Sequence, residues 1–103
     1  MYHRLNEILT TINGFYHYVD EMIRQYILLI NEAIEIISKI DTPPASLLED
    51  AKNSAISELS NELTNRLNEN FFNAPLERKK NEFKISKMLV GVAIGNVLSN
   101  LKS

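Results

Sequence analysis

Residues 2–40 carry three uninterrupted apolar columns at helical spacing. With Leu5 at heptad position a, the a column is Leu5, Ile12, Val19, Tyr26, Ala33 and Ile40. The d column is Ile8, Phe15, Met22, Leu29 and Ile36, and the e column is Tyr2, Leu9, Tyr16, Ile23, Ile30 and Ile37. Such a stripe predicts an amphipathic helix, coiled-coil-like and wide enough to meet more than one neighbour. Ile27 and Ile34 widen it further at position b. Asn13-Gly14 is a turn dipeptide, yet the columns run through it without a change of phase. The expected element is therefore one continuous helix, about 58 Å long at 1.5 Å per residue. A break at Gly14 would convert three long helices into four.

Thr42-Pro43-Pro44 predicts the end of that helix and the start of a second, with Asp41 or Thr42 as N-cap. Ser46-x-x-Glu49 offers a second possible capping box. The second helix is expected to run to about Phe72 along Ala51, Ala55, Leu59, Leu63, Leu67 and Phe71, with Glu62 and Arg66 paired on its solvated face. Asn73-Ala74-Pro75 marks the next break. A third helix, Leu76 to about Leu101, is apolar nearly all round between Met88 and Leu98, as expected for a central element. The reading is all-α: a single helical domain over residues 1–103, in an up-down bundle with short loops.

Composition narrows the classes. The 103 residues are 45% hydrophobic and 23% charged, ordinary for a globular chain and unlike a disordered one. Three glycines and three prolines are too few for the turns of an all-β protein. Without cysteine there is no disulfide framework, no thiolate metal site and no thiol nucleophile. The N-terminus lacks the apolar segment of a signal peptide, and the longest apolar run is too short to span a bilayer. A cytoplasmic protein is the expectation.

The net charge is −2 but unevenly spread: residues 1–72 sum to −6 and residues 73–103 to +4. Arg78, Lys79, Lys80, Lys84 and Lys87 crowd the first half of the last helix, where positive charge opposes the helix dipole. A helix shaped only for stability would carry acids there, so the patch is a candidate surface for an acidic protein partner or phosphate groups. Nucleic acid is the weaker form of that reading, because the chain is net acidic and the sequence offers no basic surface interleaved with aromatic rings. Gly91, Gly95 and Ser99 repeat every four residues. Each interior glycine costs roughly 0.8–1 kcal/mol against alanine, so close approach of another helix is expected there, at Gly95 above all, within the chain or with a partner. His3 and His17 lie about 21 Å apart along a continuous helix and cannot share a metal. No Glu-x-x-His pair, phosphate loop or nucleophile elbow is present. The expectation is no enzyme, no cofactor and no metal.

The lengths suggest self-association. The other helices are too short to cover a 58 Å stripe, at about 45 and 42 Å, and a large uncovered stripe is unfavourable on a monomer. A homo-oligomer, a dimer in the simplest case, is expected through Leu5, Ile12, Val19, Ile23, Ile27, Ile30 and Ile34. The function expected is a small interaction module of the adaptor, secretion-chaperone or inhibitor kind, with an unidentified protein partner besides itself. Two alternatives are an immunity-type protein that touches a membrane peripherally through the apolar C-terminal helix, and a nucleic-acid-associated regulator using residues 78–87.

Overall fold

A computed structural model describes residues 2–102. It is all-helical among those residues, with extents of 44 × 23 × 17 Å. The helices are α1 (His3–Asn13), α2 (Ile23–Ser38), α3 (Leu47–Asn61), the single-turn α4 (Glu69–Phe72) and α5 (Leu76–Lys102). α1 packs on α2 and α5, and α3 packs on the same two helices from the other side. The four enclose one apolar core.

The expectation of a continuous first helix is overturned. α1 stops at Asn13, and residues 14–19 turn the chain back into a short 3₁₀ turn at Asp20–Met22 and then α2. No helix of 58 Å could fit a molecule 44 Å long. Glycine's conformational freedom is not the cause, because Gly14 sits at φ −79°, ψ −9°, open to any residue. The cause is packing. Folding back buries Leu5, Ile8 and Ile12 completely against their own chain, at about 1.5–3 kcal/mol per side chain. The break gives up a few backbone hydrogen bonds, each worth about 0.5–1.5 kcal/mol net, and recovers part of that. The Phe15 N–H donates to the Ile12 carbonyl at 3.1 Å, and Lys87 Nζ donates to the Phe15 carbonyl. The heptad phase survives because both arms still turn their a, d and e residues toward the core. Within the break, Tyr16 and Val19 leave the columns for solvent, 81% and 48% exposed.

α2 ends at Ser38, and the prolines do not begin the next helix. Ala45 adopts φ +58°, which no helix continues through, so α3 starts only at Leu47. Ser46 is its N-cap, accepting from the Glu49 N–H at 3.0 Å; neither Asp41 nor Thr42 serves. Lys52 closes the linker by donating to the Ile40 carbonyl at 2.6 Å.

The expected second helix is also interrupted. At Glu62–Arg66 the chain widens into a π-type turn, in which the Leu67 N–H reaches back five residues to the Glu62 carbonyl at 2.8 Å. Asn68 then caps α4, its side chain accepting from the Asn70 N–H at 3.0 Å. An apolar stripe advancing in steps of four drifts around a regular helix. A wider turn holds more residues and opposes the drift, which keeps Leu59, Leu67 and Phe71 all buried. The same widening carries Glu62 into the interior, fully buried, so the pair read as solvated has its acid inside the fold and its base, Arg66, partly exposed. The 27-residue α5 follows Pro75 as expected and runs about 40 Å by its rise. No helix among the described residues is long and apolar enough to cross a membrane.

Candidate functional site

The first half of α5 lies beside the α1–α2 loop, and between them is a cleft of about 580 Å³. Lys80, Lys84 and Lys87, at i, i+4 and i+7, form one wall, with Glu77 and Asn81 at the end nearest the start of α5. Tyr16, His17 and Tyr18 form the other wall, and the buried Phe83 contributes to the lining. A smaller hollow bounded by Asn13, Lys84, Lys87 and Met88 adjoins it, sharing Lys84 and Lys87.

The loop wall is held at several points. Tyr18 packs edge-on against Phe71 and Phe83, with ring centroids 5.9 and 5.6 Å apart. Its hydroxyl donates to Asp20 Oδ1 at 2.5 Å, and Asp20 pairs with Lys79 Nζ at 3.7 Å. Burial first, and then the Asp20 carboxylate, raise the Tyr18 phenol above its ordinary range. Phe15 stacks edge-on against Tyr26 at 6.5 Å. Lys87 Nζ lies 5.4 Å from the Phe83 ring centroid, and partial burial lowers its pKa. Lys80 makes only a long, exposed pair with Glu77 at 3.6 Å. Lys84 has no hydrogen bond or ion pair among the described residues, and Tyr16 and His17 are exposed.

The five candidate basic residues are thus divided. Lys80, Lys84 and Lys87 face the cleft, and Lys79 fixes Asp20. Arg78 lines a separate polar hollow of about 210 Å³ with Arg66, Glu82 and asparagines of the α3–α4 region. There Arg66 donates to Glu62 Oε1 at 2.9 Å and to Glu82 Oε2 at 2.6 Å. Burial pulls the Arg66 pKa down, but the two carboxylates outweigh it and the net shift is upward. Glu62 Oε2 has no hydrogen-bond partner among the described residues. One helical turn away in the core, the Tyr26 hydroxyl and Ser86 Oγ share a hydrogen bond of 2.7 Å, and burial raises the Tyr26 phenol above its usual range.

On α5's outward side, Ile85, Met88 and Val92 recur at i, i+3 and i+7, with Met88 62% and Val92 61% exposed. Met88 and Val92 border an apolar groove of about 480 Å³ whose other wall is Ala51, Ser54, Ala55 and Glu58 of α3. The expected close contact at the small residues is not found within the chain. A Cβ on Gly95 would meet nothing within 4 Å, and one on Gly91 would meet only Asn13 Oδ1, at an ordinary 3.7 Å. Ser99 is exposed. A side chain at Gly95 would thus point into open space, and one at Gly91 would only touch the end of α1.

The residues expected to self-associate have also been redistributed. Leu5, Ile12, Ile23 and Ile30 are buried in their own chain, Ile27 and Ile34 pack partly against the core, and Val19 lies in the loop. The uncovered stripe that argued for a second copy no longer exists. His3 and His17 are both exposed, and no group of three or more metal-ligating side chains occurs among the described residues.

Sequence reasoning missed Tyr16, His17 and Tyr18 as cleft residues, and Glu62 and Ser86 as buried polar groups. The signal for the first three was the Asn13-Gly14 dipeptide followed by Phe-Tyr-His-Tyr-Val, a run of poor helix formers. Nothing local marked Glu62. Comparison of the chain with protein-family models, curated proteins and solved structures finds no match.

Proposed function

We propose that the chain is a small, non-enzymatic helical interaction module that self-associates, with the outward face of α5 as its contact surface in place of α1. One observation carries this reading: from Met88 to Leu101 the helix has no charged residue, although Met88 and Val92 are largely exposed. A helix face of that kind normally meets another apolar surface. A second copy of the chain fits it. In an antiparallel pair centred on Val92, Met88 lies opposite Asn96 and Ile85 opposite Ser99, so large side chains meet smaller ones.

Sedimentation velocity tests the proposal. Wild type is expected to form a dimer at tens to hundreds of micromolar, and Val92→Glu to shift it to monomer with unchanged helical circular dichroism. A wild-type monomer at several hundred micromolar overturns the reading. Retained dimer in the variant overturns the assignment of the face. Wild-type monomer that co-sediments with anionic vesicles, lost on Val92→Glu, would support the peripheral-membrane alternative instead.

A further inference from the structure

We propose that the cleft between the α1–α2 loop and α5 binds a nucleoside phosphate, with its ring stacked on Tyr16 and its phosphate on Lys84 and Lys87. The fold makes a juxtaposition that a continuous first helix would not have offered: a row of lysines facing exposed aromatic side chains across one cleft. The cavity volume, about 580 Å³, falls in the range of small-ligand sites, about 300–1,000 Å³. It suits one ring and its phosphate and is too small for a duplex.

Each wall contributes a distinct element of recognition. Tyr16 is 81% exposed beside three cations, a platform that an anionic ligand without a ring would leave unused. Lys84 has no partner of its own among the described residues, so it is available to an anion at no cost in internal ion pairs. Lys87 is partly withdrawn from water and held by the Phe15 carbonyl. A phosphate beside it would supply the counter-charge that its burial lacks. His17 adds a further donor at the rim. Glu77 is the acidic member of the lining and sits one turn from Lys80 at the far end, away from the Lys84–Lys87 pair. An acidic peptide would use the lysines but gain little from the ring, which favours the nucleoside phosphate.

Titration followed by amide NMR shifts provides the test, with thymidine monophosphate, an eight-residue thymidine single strand, thymidine, inorganic phosphate and a glutamate-rich peptide as probes. The monophosphate is expected to shift residues 15–18 and 84–87, and to bind more tightly than thymidine or phosphate alone. Tyr16→Ala and Lys84→Gln should each weaken it by about fivefold or more, given the usual worth of a stacked base. Both side chains are exposed, so the variants keep the fold. A single strand binding more than about tenfold tighter than the monophosphate, with a salt slope that grows with the phosphates engaged, assigns the site to single-stranded nucleic acid. Equal affinity assigns it to free nucleotides. Phosphate binding as well as the monophosphate, a Tyr16→Ala variant of unchanged affinity, or binding of the glutamate-rich peptide alone each overturns the proposal. The readout is independent of self-association, since Val92→Glu leaves both walls of the cleft intact.

Discussion

Glu62 is fully buried, and its carboxylate has one oxygen on Arg66 and one with no partner among the described residues. Breaking a buried ion pair by truncation costs about 3–5 kcal/mol, because a charge is left behind. Here Arg66 is partly exposed and keeps Glu82, so Glu62→Ala should fall toward the low end, about 2–4 kcal/mol, in urea unfolding. Glu62→Met fills the same space without a buried charge, and replacing an ion-pair member by an apolar group of similar volume is often neutral or better. The methionine variant is therefore expected within about 1 kcal/mol of wild type. If it were as damaging as alanine, the carboxylate itself would be needed to hold the widened turn. Gly95 is the opposite case, a residue whose missing side chain does nothing inside the chain, since a Cβ there meets open space. Gly95→Ala should raise the stability of the dilute protein by about 0.4–1 kcal/mol, through helix propensity and a stiffer unfolded chain. A lower urea midpoint would show that the position is crowded in solution.

At the scale of the elements, α1 is held by its three buried aliphatics and by one polar tie to α2. Arg4 Nε and Nη2 donate to the Glu32 carboxylate at 2.5 and 2.8 Å. The hydrogen bond from Arg4, followed by its charge, lowers the Glu32 pKa below the ordinary carboxylate value. A depressed folded pKa gives stability that is present above the unfolded pKa, about 4.3, and is lost as pH falls through the lower folded value. Both side chains are well exposed, so the gain is small. The expected signature is that wild type exceeds Glu32→Gln in urea midpoint at pH 6–7 and that the difference closes below about pH 4. A difference that persists unchanged to pH 3 would assign it to packing. Helix content, the α5 boundaries and the Ser46 cap were legible in the sequence because each depends on local spacing: apolar period, Pro75 before a helix, and Ser three residues before Glu49. The breaks were not. Both arms around residues 14–19 keep one heptad phase, so periodicity could not register the reversal. The π-type turn at Glu62 answers a drift that only the neighbouring helices define. The cleft followed the same rule: its lysines were visible as a patch, while its aromatic wall depended on the reversal.

The whole molecule poses a choice between two ways of covering one stripe. The chain folds α1 back, and the unbroken heptad means that the straightened α1–α2 helix remains geometrically consistent. Straightened, it would be about 54 Å long, beyond the 44 Å of the folded chain, and Leu5, Ile8 and Ile12 would need another chain's α5 to cover them. Exchange of an identical element across a hinge is a low-cost route to a dimer. The hinge is therefore expected to control the balance. Tyr16, His17 and Val19 are exposed, so replacing them with alanine removes little packing, and adding Gly14→Ala favours helix by about 1 kcal/mol at that position alone. Phe15 and Tyr18 stay, since both contact the aromatic core. The fourfold variant is expected to gain helical circular dichroism and to form a slowly dissociating dimer. Small-angle scattering should give that dimer a longest dimension well above 44 Å. At matched concentration it should persist when Val92→Glu is added, which separates exchange of α1 from contact through α5. If the variant keeps the scattering profile of wild type at several hundred micromolar, packing of the loop's aromatic side chains on the core is strong enough to enforce the reversal without help from the hinge sequence.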